Sequence, residues 1–157
     1  MCSHRLMVNS LAEAKVQIEE SVNTRATIPN RYFTLAEANQ VLTGIRPSFE
    51  LALVYTRKIH ELTSKRLEPT KIIEARPRIS KLRLQIEGLL DPIRHCGIEV
   101  GNLFPGTLDF PALRNGEQVY VSWRLGDKDI SWWRPMIQAE RHRMLVHTEN
   151  ICWEWRN

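Results

Sequence analysis

The sequence predicts an α+β fold, in which an antiparallel hairpin of two long helices packs on a small antiparallel β-sheet. Three observations predict it. Apolar residues recur at helical spacing between residues 35 and 96, and after Gly97 they alternate with polar residues, which is the pattern of strands. An Asn-Gly pair at residues 115–116 precedes the clearest alternating run, and this pair is typical of a β-hairpin turn.

The first long helix is predicted from a capping box. Glu37 follows Thr34 by three residues, and in this pattern the hydroxyl and the carboxylate satisfy the free amides of a helix start. Gly44 and Pro47 are expected to interrupt this helix, because proline disrupts a helix interior but suits a first turn. The expected result is a short helix, a kink, and a long helix from about Pro47 to Arg66. Ser10 opens a second copy of the capping pattern, which predicts a helix in the N-terminal arm. The apolar residues of that helix are Leu11, Ala14, Ile18 and Val22.

A heptad pattern predicts the second long helix. One series of apolar residues stands seven apart, and a second series runs beside it, as expected where one helix packs along another. Packing inside one domain is the favoured interpretation, and dimerisation through the same stripe is the alternative. The two series are Ile72, Ile79, Ile86 and Ile93, and Ala75, Leu82, Leu89 and Cys96.

The stretch "VYVSWRLGDKDISWW", residues 119–133, predicts a hairpin with two different faces. Side chains alternate along a strand, so a loop at residues 125–128 sets Tyr120 opposite Trp133 and Arg124 opposite Asp129. The apolar face is expected to pack on the helices, and a register shift of one residue would exchange the faces. The apolar face consists of Val119, Val121, Trp123, Ile130 and Trp132.

The other face of this hairpin is a candidate surface for a ligand or a partner, because Tyr, Trp and Arg dominate binding hot spots. An exposed sheet face with one Arg–Asp cross-strand pair is the favoured interpretation. Asp109 near Arg114 and Arg124 is a candidate charged pocket, although an acid between two arginines is more commonly a structural ion-pair network. The candidate binding residues are Tyr120, Ser122, Arg124, Asp129, Trp133, Asp109 and Arg114.

Positive charge is concentrated in the helical hairpin. The chain has a net charge of +4, yet residues 57–83 hold nine Lys or Arg against three Glu. Such a block can attract phosphates, which makes nucleic-acid binding the alternative function, while a solvated helix face is the simpler interpretation. The candidate nucleic-acid contacts are Arg57, Lys58, Lys65, Arg66, Arg76, Arg78, Lys81 and Arg83.

Several function classes find no support in the sequence. The five histidines show no metal-binding spacing, the three cysteines are far apart, and no nucleotide-binding or nucleophile motif is present. No catalytic residue, metal or cofactor is therefore predicted. Since no apolar stretch reaches the roughly 18 residues of a membrane span, and the N-terminus has no block of signal-peptide type, a cytoplasmic protein without membrane contact is expected.

Two segments carry a resemblance to a known family: "RYFTLAEANQVL" at residues 31–42, and "GIEVGNLFPGTLDFPALRNGEQVYVSWRLGD" at residues 97–127. Together they resemble the small bacterial proteins of domain of unknown function family 2203, over about residues 31–133. The resemblance implies a fold rather than a function, because it carries no established activity.

The resemblance also shows where this chain departs from the family pattern. Family members tend to carry Cys at the position of Ser122, Glu at that of Asp127 and His at that of Arg134, a set that suggests a metal or redox site. This chain lacks that thiol and that histidine, so no such chemistry is carried over to it. The matching positions, to which the resemblance attaches no role, are Asp109, Arg114, Tyr120, Trp123 and Arg124.

The chain is thus predicted to comprise an N-terminal arm at residues 1–29, which is partly helical or disordered, the helical hairpin with its sheet at 30–134, and a C-terminal tail at 135–157. The favoured function is a non-catalytic protein-interaction module, which meets a protein partner or a second copy of itself. It would do so through the heptad stripe or through the face of Tyr120 and Trp133. Nucleic-acid binding is the alternative, and an enzyme or a metal-binding protein ranks below both.

Overall fold

The computed structural model describes residues 29–64, 68–137 and 143–146. Within these ranges the chain forms helix α1 (Leu35–Ser64) and helix α2 (Pro69–His95), followed by five strands. This architecture confirms the predicted α+β class. The helix predicted from Leu11 to Val22 lies outside the described residues. The strands are β1 (Glu99–Val100), β2 (Thr107–Arg114), β3 (Glu117–Arg124), β4 (Trp132–Pro135) and β5 (Met144–Leu145).

Helix α1 begins at the predicted capping box. The Thr34 amide donates to Glu37 Oε2 at 2.9 Å, and the Glu37 amide donates to Thr34 Oγ1 at 3.1 Å. The predicted division into a short and a long helix at Pro47 is wrong, because α1 continues through it as one helix. Pro47 removes the helical donor to the Thr43 carbonyl one turn earlier, but both residues are exposed, so water can satisfy that carbonyl.

Helix α2 also continues through two internal prolines, and its heptad stripe is buried only from the middle onward. Ile72, in the first turn, is 46% exposed, and Cys96, just after the helix, is exposed as well. The stripe therefore packs inside the domain in its second half, as the favoured interpretation predicted, while its beginning faces solvent. The buried residues of α2 are Leu82, Ile86, Leu90 and Ile93.

The five strands form an antiparallel meander, in which the strand order β1-β2-β3-β4-β5 follows the chain. The predicted Asn-Gly turn joins β2 to β3, where Asn115 and Gly116 have φ values of +50° and +84°. A two-residue hairpin turn of type I′ needs positive φ at both central residues, which Asn and Gly adopt at the least cost. The turn pairs Arg114 with Glu117 and so sets the β2–β3 register.

The pairing of β3 with β4 differs by one residue from the predicted register. Tyr120 pairs with Arg134, and Val121 pairs with Trp133. Trp133 therefore shares the helix-facing side of the sheet and is only 5% exposed, whereas Trp132 lies on the opposite side. The predicted places of the two tryptophans were exchanged, while Val119, Val121, Trp123 and Ile130 are buried as predicted.

The connection from β3 to β4 explains this shift, because it is longer than the predicted loop at residues 125–128. The Trp123 indole N–H donates to the Asp127 carbonyl at 2.9 Å, and the Ile130 amide donates to Asn39 Oδ1 at 2.9 Å. These bonds hold Ile130 in the core, and pairing with β3 begins only at residue 132. The sheet also extends past residue 134, since β4 ends at Pro135 and β5 follows.

The hydrophobic core lies between the two helices and one face of the sheet. Phe33 and Phe110 meet edge to face with their ring centroids 5.6 Å apart, and Phe49 meets Trp123 in the same way at 6.1 Å. Edge-to-face contacts are a favoured arrangement of aromatic rings and add to the free energy gained from burying them. Since the helices cover this face, the polar side chains of the strands are directed to the other one.

Candidate functional site

The face of the sheet turned away from the helices carries a buried polar cluster. Strand alternation places Asp109 of β2, Ser122 of β3 and Arg134 of β4 on this face, because the residue before each of them lies in the core. Asp109 is 2% exposed, Ser122 is fully buried and Arg134 is 8% exposed. Arg143, just before β5, joins them with a side chain that is 7% exposed. These four residues are called the Asp109 cluster below.

The Asp109 carboxylate is the centre of the cluster. The Ser122 hydroxyl donates to Asp109 Oδ1, and Arg134 Nη2 donates to Asp109 Oδ2 at 3.0 Å. Arg143 brings a second guanidinium, with its Nη2 3.8 Å from Asp109 Oδ1. Buried charges need such compensation, because removing a charge from water costs several kcal/mol. The cluster therefore joins three strands and the residue that precedes β5.

Tyr120 lies beside the cluster on the same face. Its hydroxyl donates to Glu99 Oε1 at 2.6 Å, and the guanidinium carbon of Arg134 lies 4.5 Å from the centroid of its ring. Burial, followed by the hydrogen bond to Glu99, raises the pKa of Tyr120 well above its usual value. The phenol therefore remains a protonated donor that ties β3 to β1.

This geometry favours a structural role for the cluster. Both oxygens of the Asp109 carboxylate face donors, and the Tyr120 hydroxyl keeps its proton. A general base must reach the proton that it abstracts from a substrate, but Asp109 and Ser122 are almost completely shielded from solvent. Of the two interpretations offered for the charges around Asp109, the arrangement is that of an ion-pair network.

The predicted binding face is assembled only in part. Tyr120, Ser122 and Arg124 share one side of β3, as predicted, but Tyr120 and Ser122 are buried. Arg124 is exposed at the end of the strand, with its guanidinium carbon 5.8 Å from the ring centroid of Trp132. Of these three side chains, only that of Arg124 is open to a ligand.

The remaining predicted residues lie elsewhere. Trp133 and Arg114 are on the helix-facing side of the sheet, where the guanidinium carbon of Arg114 lies 3.9 Å from the Trp133 ring centroid. Asp129 lies in the loop before β4, so the predicted cross-strand pair with Arg124 does not form among the described residues. Instead, Asp129 lines a pocket of about 260 Å³ against α1.

The sequence-based reasoning missed Arg134, Arg143 and Glu99 as site residues. The first two take the place that was predicted for Arg114 and Arg124 as ionic partners of Asp109. Alternation along β4 would have placed Arg134 on this face if the register had been known. No periodic signal pointed to Arg143, because β5 is only two residues long.

The basic residues of the helical hairpin lie at the surface. Lys65 and Arg66 lie outside the described residues. None of the four candidate residues on α2 forms an ion pair with another described residue. Their charge is therefore directed to solvent. The exposed candidates are Arg57 and Lys58 on α1, and Arg76, Arg78, Lys81 and Arg83 on α2.

Helix α2 also exposes two large aliphatic side chains on the side opposite the core. Leu84 is 75% exposed and Ile73 is 61% exposed. They stand eleven positions apart, which is about three turns of 3.6 residues, so both lie on the same side of the helix. Arg76 and Lys81 border them, since residues three positions apart are neighbours on a helix surface. These four residues define the outer face of α2.

A pocket of about 400 Å³ lies at the C-terminal end of α2. Its lining includes Arg94 of α2, Glu99 of β1 and Pro111 of β2. Pro29, the first described residue, lines it as well. The described chain therefore begins beside the end of α2.

No three His, Cys, Asp or Glu side chains in residues 29–64, 68–137 and 143–146 are placed to hold a metal ion. Neither α1 nor α2 is long and apolar enough to cross a membrane.

A family profile described as an uncharacterized conserved protein, DUF2203, matches residues 31–144. This chain belongs to the DUF2203 family. The match covers both helices, β1 to β4 and all four residues of the Asp109 cluster. Ser122 and Arg134, which lie within the matched region, both contact Asp109. No curated protein and no solved structure matches the chain.

Proposed function

We propose that this DUF2203 protein is a non-catalytic protein-interaction module, which binds its partner on the outer face of α2. The observation that carries the proposal is the exposure of Leu84 and Ile73 on a helix whose other side is buried. Full burial of one such side chain stabilises a complex by about 1.5–3 kcal/mol. Two of them on one helix face provide anchors for a partner helix or groove.

The sheet supports this choice of surface. Tyr120 and Trp133, which the sequence suggested as a second partner surface, are at most 8% exposed and lie on opposite faces. A partner would have to open the sheet to reach them.

Site-specific photo-crosslinking tests the proposal. A photoreactive phenylalanine analogue replaces Leu84 in one variant and the exposed Gln40 of α1 in a control, and both are irradiated in the cells that produce them. We expect a discrete protein adduct from position 84 alone, because only that position lies on the proposed surface. An adduct of two copies of the chain would identify a homodimer. No adduct, or the same adducts from both positions, would contradict the proposal.

The captured protein is then purified and its affinity for the chain is measured. Ile73→Ser with Leu84→Ser should weaken binding about tenfold or more, which is about 1.4 kcal/mol. The chain should remain folded, because neither side chain belongs to the hydrophobic core. The matched control, Leu51→Ser with Val54→Ser, removes two exposed aliphatic side chains from α1 and should retain the affinity. Equal weakening by both pairs would place the surface elsewhere.

Nucleic-acid binding is the second candidate, and the six exposed basic residues of the hairpin support it. Affinity for a DNA duplex and for a single-stranded RNA is measured over a range of salt concentrations. Each phosphate contact on a DNA duplex contributes about 0.9 to the slope of log affinity against log salt, so Arg76→Ala with Arg83→Ala should lower the duplex slope by about 2. Lys128→Ala, which removes an exposed charge from the β3–β4 loop, is the control. Unchanged affinity and slope would leave the basic block as a solvated helix face.

A further inference from the structure

We infer that the outer face of α2 docks residues 11–22 of the same chain, as an acidic amphipathic helix that covers Ile73 and Leu84. The inference rests on the proposed function, because it concerns the same surface. Residues 11–22 would therefore compete with the partner for the outer face of α2. Residues 11–22 lie outside the described residues.

The apolar stripes of the two helices match in length. The capping box at Ser10 predicts that a helix begins at Leu11, and its stripe ends at Val22, eleven positions later. Ile73 and Leu84 are also eleven positions apart, so each stripe spans about 16 Å at 1.5 Å per residue. A helix of residues 11–22 placed alongside α2 can therefore cover both exposed side chains at once.

The charges of the two segments are complementary. Residues 73–84 of α2 hold four basic residues and one Glu, a net charge of +3, and none of the four forms an ion pair with another described residue. Residues 11–22 hold three Glu and one Lys, a net charge of −2. A second copy of α2 would instead bring +3 against +3, and like charges across an interface disfavour association.

The connecting chain is long enough to make this contact. Pro29 lines a pocket together with Arg94, and Leu84 lies ten positions before Arg94, which is about 15 Å along the helix. The six residues 23–28 span up to about 20 Å when extended. Val22 can therefore reach Leu84, and the segment continues from there towards Ile73.

Photo-crosslinking of the purified full-length chain tests this inference. The photoreactive analogue replaces Leu84, the chain is irradiated at low concentration, and the crosslinked peptides are identified by mass spectrometry. We expect a product with the mass of one chain that joins position 84 to residues 11–22. Ile18→Ser with Val22→Ser should reduce its yield about tenfold or more, because the apolar contact is lost. Met7→Ser with Val8→Ser, which removes two apolar side chains outside the segment, should leave the yield unchanged.

Each outcome separates this inference from the proposed function. Crosslinks from position 84 to other parts of the chain, crosslinks between two chains, or equal losses in both variants would overturn the inference. An internal crosslink without a partner adduct in cells would leave docking intact and remove the proposed function. A partner adduct without the internal crosslink would support the proposed function and overturn the docking of residues 11–22. If both hold, Ile18→Ser with Val22→Ser should tighten partner binding, because it removes the competitor.

Discussion

At the scale of single residues, the Asp109 carboxylate connects segments that are distant in the chain. It accepts from Ser122 and Arg134 and faces Arg143 while being only 2% exposed. A protein with a buried ion pair is often no more stable than one with apolar residues in its place. Removing one member of the pair, however, leaves an uncompensated charge in the interior and is strongly destabilising. The carboxylate is therefore the side chain of the cluster that the fold tolerates losing least.

Asp109→Asn should destabilise the chain by about 3–5 kcal/mol, because it removes the negative charge that two buried guanidinium groups face. Urea-induced unfolding measures this loss directly. Ser122→Ala is the matched control on the same face. It removes one hydrogen-bond donor to Asp109 and should cost about 1–3 kcal/mol. A loss of less than about 1 kcal/mol for Asp109→Asn would show that the carboxylate does not organise the cluster.

Tyr120 should make stability depend on alkaline pH. Burial and the bond to Glu99 raise the pKa of Tyr120 in the folded chain above its unfolded value of about 10, so the folded state holds this proton more tightly. The resulting stabilisation is complete below pH 10 and is lost as the pH rises towards the folded pKa. The extra free energy of unfolding of the wild type over Tyr120→Phe, about 1–3 kcal/mol at neutral pH, should therefore shrink above about pH 10.

The control for this pH dependence is Tyr32→Phe, since the Tyr32 hydroxyl accepts from Gln118 Nε2 at the surface, at 2.7 Å. Both variants are unfolded with urea at a series of pH values between about 8 and 11. A difference between the wild type and Tyr120→Phe that stays constant across this range would refute the role given to the Tyr120 phenol.

At the scale of elements, the two halves of the heptad stripe of α2 differ in burial. Its second half is buried in the core, while Ile72 at its beginning is half exposed. Residues of the same heptad pattern therefore contribute differently to the free energy of unfolding. The pattern fixes only their spacing, whereas the contribution of each residue depends on what covers it.

Two matched substitutions should reveal this inequality. Ile86 is 7% exposed, and Ile86→Ala should lower the free energy of unfolding of the chain by about 2–5 kcal/mol, because a cavity is left in the core. Ile72→Ala makes the same chemical change at a position that is 46% exposed and should cost less than about 1 kcal/mol. Losses of similar size at both positions would mean that the beginning of α2 is covered in solution.

Elements with a local signal could be predicted from the sequence. The reciprocal bonds between Thr34 and Glu37 start α1, and positive φ at Asn115 and Gly116 closes the β2–β3 hairpin. The β3–β4 register could not be predicted, because it depends on a bond between Ile130 and Asn39, which are 91 positions apart. No pattern within the hairpin itself contains that information.

At the scale of the whole molecule, part of the Asp109 cluster could be predicted from the sequence, whereas the outer face of α2 could not. Tyr120 and Asp109 were selected from residue type, and the structure brings them onto one face, but as neighbours in a buried network. The outer face of α2 could not be predicted from the sequence pattern, because helical periodicity identifies the buried stripe of a helix and not its exposed apolar residues. Leu84 becomes conspicuous only when its exposure is known.

The strand order of the sheet, which follows the order of the chain, has a kinetic consequence. Every strand pairs with its sequence neighbour, and α1 pairs with the helix that follows it, so short loops close most of these contacts. Contacts of low sequence separation cost little chain entropy and form early. We therefore expect the helical hairpin and the meander to form as separate units. The bond from Ile130 to Asn39 would then form late, so that its loss accelerates unfolding and leaves the folding rate nearly unchanged.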